Sequence, residues 1–131
     1  MDEKIRQAVR SRAQDRCEYC LLHQHDSPLV RFHVEHVVPR KHGGTDSTAN
    51  LALACLSCNL HKGSNLAGID PRTGRLTRLF HPREDHWPDH FVMKPRTCEV
   101  HGRTAVGRAT VEVLLLNKPS RLELRRLLAE M

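Results

Sequence analysis

Two Cys-x-x-Cys pairs, Cys17-Glu18-Tyr19-Cys20 and Cys55-Leu56-Ser57-Cys58, bracket an acid-histidine pair, Glu35-His36, and Asn50, and Asn59 follows the second pair directly. Four thiolates at two-residue gaps supply the tetrahedral sulfur set that zinc prefers, and four protein ligands leave no open position. Cys17, Cys20, Cys55 and Cys58 therefore read as a structural zinc site. The 34 residues between the pairs exceed ordinary zinc-ribbon spacing and suit a strand-loop-strand insertion. Four free buried thiols would leave the paired spacing unexplained. Glu35-His36 at a strand end sets a hard oxygen ligand beside a nitrogen base. Phosphodiester hydrolysis needs both, a divalent cation on the phosphate and a base for water. The stretch reads as the motif of a metal-dependent nuclease whose two ends the zinc clamps.

Further chemistry-bearing side chains surround this motif. His61 and Lys62 lie one turn along the helix that the second cysteine pair opens, and are candidate contacts for the scissile or a neighbouring phosphate. Arg40, and His42 beside Gly43-Gly44, are candidate phosphate contacts as well, with a solvated loop as the alternative. His33 shares a strand face with Glu35 and is either a further ligand or a packed histidine.

Composition narrows the partner. Lys and Arg total 21 against 15 Asp and Glu, and a net charge of +6 with a pI near 9.4 favours a polyanionic partner such as nucleic acid, with a merely basic soluble protein as the alternative. Ten histidines point to metal or acid-base chemistry. One Trp, one Tyr and three Phe are too few for a platform that stacks single-stranded bases, so phosphate contact is the expected binding mode. The charged N-terminus leads into no apolar run, so neither a secretory signal nor a membrane span is expected. Five cysteines then fit a reducing, cytoplasmic setting, where this spacing means metal rather than disulfide, with Cys98 left as a small buried hydrophobe. No site for a small-molecule cofactor stands out, and nothing sets an oligomeric state.

The elements that must position these residues follow from periodicity. Residues 2–16 read as a helix capped by Asp2, with Ile5, Ala8, Val9 and Ala13 on one stripe. Arg6, Arg10, Arg12 and Arg16 lie off that stripe, on a face that is either solvated or in touch with phosphates. Residues 30–35 alternate as a strand, residues 37–48 form a loop broken by Pro39 and the double glycine, and residues 51–54 form a second strand. A short helix over residues 55–65 carries the second cysteine pair. Beyond it, residues 70–74 are a turn, residues 75–80 a strand, and residues 90–94 and 97–100 a hairpin turning at Pro95-Arg96. Helices follow over residues 104–117, capped by Thr104, and from Pro119 to the last residue, and both are expected to supply core.

The residues from Cys17 to about Gly63 resemble the HNH endonucleases, through Glu35-His36, Pro39, Gly43-Gly44, Asn50-Leu51, Cys55-x-x-Cys58-Asn59 and Lys62. Leu79-Phe80-His81-Pro82-Arg83, Trp87, His90-Phe91 and residues 107–112 resemble the tail of small stand-alone bacterial HNH proteins. The resemblance implies an α+β fold with a zinc-clamped ββα-metal core, an N-terminal helix and additional C-terminal strands and helices. A length of 131 residues suits one domain, in which residues 17–63 are expected to be the core and residues 70–131 an extension packing on it. His36 would be the general base and Asn50 would hold the loop that orients it. Glu35 and Asn59 would hold a catalytic Mg²⁺ or Mn²⁺, separate from the structural Zn²⁺. The products would carry 5′-phosphate and 3′-hydroxyl ends. Glu35 stands where many relatives have Asp, and Asn59 where many have His, an oxygen-type ligand that favours the harder cations. The rival is a zinc-stabilised module that binds nucleic acid without cutting it. A zinc hydrolase of small molecules would need an open zinc position, which four cysteines do not leave.

Overall fold

In the computed structural model, which describes all 131 residues, the chain folds into two compact units of mixed helix and antiparallel strand. One unit comprises Met1–Ser64 and His81–Asp85, and the other Asn65–Phe80 and His86–Met131. No helix is long and apolar enough to cross a membrane.

In the first unit, helix α1 (Glu3–Arg12) begins where Asp2 Oδ1 accepts the Ile5 N–H at 2.9 Å. It ends four residues before the expected position. Gln14 and Asp15 take left-handed backbone, φ 54° and 57°, and turn the chain into the first cysteine pair. Two of the arginines off its apolar stripe, the half-buried Arg10 and the exposed Arg12, are engaged with backbone. Arg10 donates to Phe32 O at 2.9 Å, and Arg12 to Thr48 O and Leu51 O at 2.9 and 2.6 Å, so both tie the helix to backbone that flanks the strands.

Strand β1 (His33–His36) pairs antiparallel with β2 (Leu51–Ala54), His33 opposite Ala54 and His36 opposite Leu51. β1 starts three residues later than its alternation suggests. The Phe32 N–H is taken by Gln24 Oε1 and its carbonyl accepts from Arg10, so its one donor is spent outside the ladder. All four residues of β2 are buried, with α1 over both strands. Helix α2 (Leu56–Lys62) follows, with Cys55 as N-cap and Gly63 beyond its end. This is the ββα arrangement expected for residues 17–63, and α2 stops three residues short of the expected boundary because Gly63 leaves helical geometry at φ 51°.

The second unit holds two hairpins and three helices. Strand β3 (Ala67–Ile69), which the sequence pattern does not reveal, pairs with β4 (Leu76–Arg78). Helix α3 (Trp87–His90) is a single turn, and Trp87 packs on Phe91 with ring centroids 5.1 Å apart. Strands β5 (Phe91–Met93) and β6 (Val100–Gly102) form the expected hairpin around the buried Cys98. Helix α4 (Ala105–Val113) is capped by Thr104, whose Oγ1 accepts the Gly107 N–H at 3.1 Å, and it packs on β3, β4 and β6. Helix α5 (Pro119–Ala129) starts at its proline as expected but buries no residue, which corrects the expectation that it supplies core. Its arginines hold it instead: Arg121 donates to Leu114 O at 2.8 Å, Arg125 to Cys98 O at 3.0 Å, and Arg126 to Thr97 O at 3.0 Å.

Candidate active site and metal centre

The sulfurs of Cys17, Cys20, Cys55 and Cys58 lie within 4.8 Å of one another, and all four residues are buried. A zinc with Zn–S bonds of about 2.3 Å needs sulfurs roughly 3.8 Å apart, and Cys20 and Cys55 stand at 3.7 Å. The four cysteines are thus positioned to bind a metal ion, and the donor set is that of structural zinc. Burial pushes the Cys17 and Cys58 thiols well up from their ordinary range, whereas the hydrogen bond with Cys17 holds Cys55 below it.

The knuckle is stitched to the strands by the residues inside it. Glu18 exchanges backbone with Leu53, its N–H meeting Leu53 O at 2.8 Å, while its carboxylate accepts the Leu53 N–H at 2.8 Å and pairs with Arg83. The Tyr19 hydroxyl donates to Glu35 Oε1. Glu35 is buried, its other oxygen 3.4 Å from Lys62 Nζ, and burial raises its carboxyl above the usual range against the pull of the Lys62 ammonium. Lys62 is 1 % exposed and donates to Val37 O at 2.9 Å. The expectation that Lys62 contacts phosphate does not fit this placement. Its ammonium closes the end of β1 onto α2. A lysine in the last turn of a short helix carries no sequence sign of such burial.

His36 points elsewhere. Its Nε2 lies 2.7 Å from Asp46 Oδ1, and the same carboxylate receives both bonds of Arg40 at 2.8 and 3.0 Å. The His36 bond and the Arg40 guanidinium hold the Asp46 carboxyl below its ordinary range. Sequence reasoning assigns Asp46 no role, although it sits two residues past the double glycine where a loop returning to β1 must pass. Arg40, expected to contact phosphate, is exposed but already engaged with Asp46.

The loop between β1 and β2 is held by Asn50, which accepts the Val38 N–H at 2.9 Å and donates to Val38 O at 3.0 Å and Thr45 O at 2.9 Å. The two glycines serve different ends. Gly43 has φ 88° with open space around it, whereas a Cβ on Gly44 would stand 1.6 Å from Val38 O and 2.9 Å from the Asn50 carboxamide nitrogen. Gly44→Ala is expected to lower stability by about 1–3 kcal/mol through overpacking and to displace Asp46 from His36. Gly43→Ala should cost roughly 1–2 kcal/mol from left-handed backbone alone and leave the loop in place. Denaturation midpoints of the two variants, read beside their activities, check this contrast.

His36, Glu35, His33, Arg40 and Asn59 line one open pocket of about 370 Å³ together with Val34, Pro39, Gly63 and Ser64. Asn59 is half-buried, and its carboxamide makes no hydrogen bond within the protein. His42 is exposed beyond this rim, its Nε2 3.2 Å from Ser64 O, and His61 is half-buried on α2. The structure therefore brings His33, Glu35, His36, Arg40 and Asn59 to one surface, places Asn50 behind it, and withdraws Lys62 from it.

Residues 17–65 match the family model described as HNH endonuclease, a span that holds all four cysteines and every residue of the pocket. No curated protein and no solved structure matches the chain.

Proposed function

With residues 17–65 matching the HNH endonuclease family, we propose that this protein is a metal-dependent endonuclease that hydrolyses phosphodiester bonds in DNA, with His36 as general base. The observation that carries this reading is His36 held by Asp46 at the wall of a pocket shared with Glu35 and Asn59.

With Nε2–H donated to Asp46, the lone pair of His36 lies on Nδ1, and that atom takes the proton of the attacking water. Arg40 fixes the Asp46 carboxylate, and Asn50 fixes the backbone on which both stand. Asn59 and Glu35 are the residues that would hold Mg²⁺ or Mn²⁺. Asn59 presents a free carboxamide, and the Glu35 oxygens keep acceptor capacity beyond their bonds to Tyr19 and Lys62, since each has two lone pairs. When bound, the cation polarises the phosphodiester and stabilises the leaving oxygen. Cys17, Cys20, Cys55 and Cys58 would hold a Zn²⁺ that is structural, since four thiolates leave it no open position. His33, His42 and His61 are left to contact the substrate backbone.

Nicking of a supercoiled plasmid with and without Mg²⁺ tests the activity, and no cleavage with either Mg²⁺ or Mn²⁺ would reduce the protein to a nucleic-acid-binding module. Asp46 tests the mechanism. Asp46→Ala is expected to lower kcat by about 10- to 100-fold, the usual loss when the partner orienting a histidine is removed, with KM little changed. Asp46→Asn, which keeps an acceptor for Nε2–H, should recover part of that loss. Ring-nitrogen NMR should find His36 protonated on Nε2 in the parent and mixed between tautomers in Asp46→Ala. An unchanged tautomer and rate would remove Asp46 from the mechanism.

A further inference from the structure

The positive charge of the chain is not where the motif is. The unit that holds the cysteines and His36 has ten Lys and Arg against nine Asp and Glu, whereas the other has eleven against six, and so carries +5 of the net +6. Within that second unit the β3–β4 ribbon concentrates exposed arginine. Gly68 and Thr77 face each other across the ribbon, and a Cβ on Gly68 would lie 2.2 Å from Val113 Cγ2, so α4 covers that side. Alternation sends Ile69, Leu76 and Arg78 to the opposite side. There Ile69 and Leu76, directly paired, are 53 % and 74 % exposed.

The turn of this ribbon is built to a fixed shape. Asp70 is fully buried and accepts from the Arg72 N–H and the Thr73 hydroxyl, each at 3.0 Å, and from two nitrogens of Arg108 at 2.9 and 3.0 Å. Gly74, at φ 74°, returns its N–H to Asp70 O at 2.8 Å. The one acid of the ribbon is thereby neutralised inside the unit. Arg72 and Arg75 stand on the rim of the turn, exposed, with no acid facing either guanidinium.

We propose that the β3–β4 ribbon grips duplex DNA, with Arg72 and Arg75 on backbone phosphates and the Ile69–Leu76 face turned to the groove. A two-stranded ribbon fits a B-form major groove about 12 Å wide, and a turn already fixed by Asp70 loses little entropy on binding. The ribbon has no aromatic ring on which single-stranded bases could stack. The deep, narrow major groove of duplex RNA does not admit it. The inference rests on the nuclease reading for the choice of nucleic acid as the polyanion.

The test is binding of the full-length protein to a labelled DNA duplex without Mg²⁺, by fluorescence anisotropy over a salt series. Arg72→Ala/Arg75→Ala should reduce the slope of log affinity against log salt by about 1.8, near 0.9 for each phosphate no longer neutralised. Arg72→Glu/Arg75→Glu should weaken binding by about tenfold or more at low salt, while Arg72→Lys/Arg75→Lys keeps most of the affinity. Melting temperatures should match the parent, since both side chains are exposed. An unchanged slope and affinity in the Ala and Glu variants would overturn the proposal, as would equal or tighter binding of single strands or duplex RNA by the parent. Arginine-dependent duplex binding without any cleavage would sink the nuclease reading alone. Cleavage that proceeds with ribbon-independent binding would sink the ribbon alone.

Discussion

His36→Ala is expected to lower DNA cleavage by about 10² to 10⁴-fold, the cost of removing a positioned general base, with folding and metal content intact. The imidazole is the only part of the residue that reaches Asp46 and the pocket, while its backbone stays paired to Leu51 in the hairpin. The four cysteines and the Glu35–Lys62 pair do not involve this ring. Binding of duplex without Mg²⁺ should therefore persist. Glu35→Ala should behave differently, since it removes the partner of a lysine that is 1 % exposed as well as a candidate cation ligand. Leaving a buried charge unpaired typically costs about 3–5 kcal/mol, so this variant should lose both cleavage and stability. A His36→Ala protein that cuts at the parental rate would end the mechanism proposed for this site.

The second large effect concerns the metal. Cys55→Ser should lower the zinc content from about one per chain and destabilise the first unit. The choice of serine isolates the cause. Cys55 Sγ caps α2 by accepting the Cys58 N–H at 3.4 Å, and a serine hydroxyl is itself a favoured N-cap, so the helix start survives while the fourth thiolate does not. Structural zinc contributes about 10–16 kcal/mol of apparent binding free energy that is coupled to folding in small domains. Melting temperature with and without a chelator, alongside metal analysis of the purified protein, reads the effect. A parent protein that is folded without zinc, with a melting temperature that a chelator leaves unchanged, would refute the assignment.

Legibility in the sequence depends on whether the partners of a residue are near it in the chain. The cysteine cluster was legible because two-residue gaps are a local pattern with a metal-binding reason, and the structure gathers those four sulfurs. The Thr104 and Asp2 caps and the proline start of α5 were legible for the same reason. The burial of Lys62 was not, because its carbonyl partner at Val37 is 25 residues away and charge alone reads as surface. The half-buried Arg10, bonded to Phe32 O 22 residues away, misleads in the same direction. β1 begins late because a side chain, Gln24, claims the backbone of Phe32, a competition that alternation cannot show. Asp46 stands in plain view within the motif, yet its bond to His36 exists only once Gly44 lets the loop close on Val38.

The path of the chain between its units has a consequence for how such a protein can be taken apart. Residues 81–85 return to the first unit after sixteen residues spent in the second, and they bring Arg83 to a Glu18 side chain that is 12 % exposed beside the first cysteine pair. Excising the part after Ser64 would strand that carboxylate against the metal knuckle. The motif-bearing segment is therefore not a portable cassette that recombination can lift out at one junction. Three crossings would have to be rejoined at once, so exchange between relatives should preserve the whole chain as one block of inheritance.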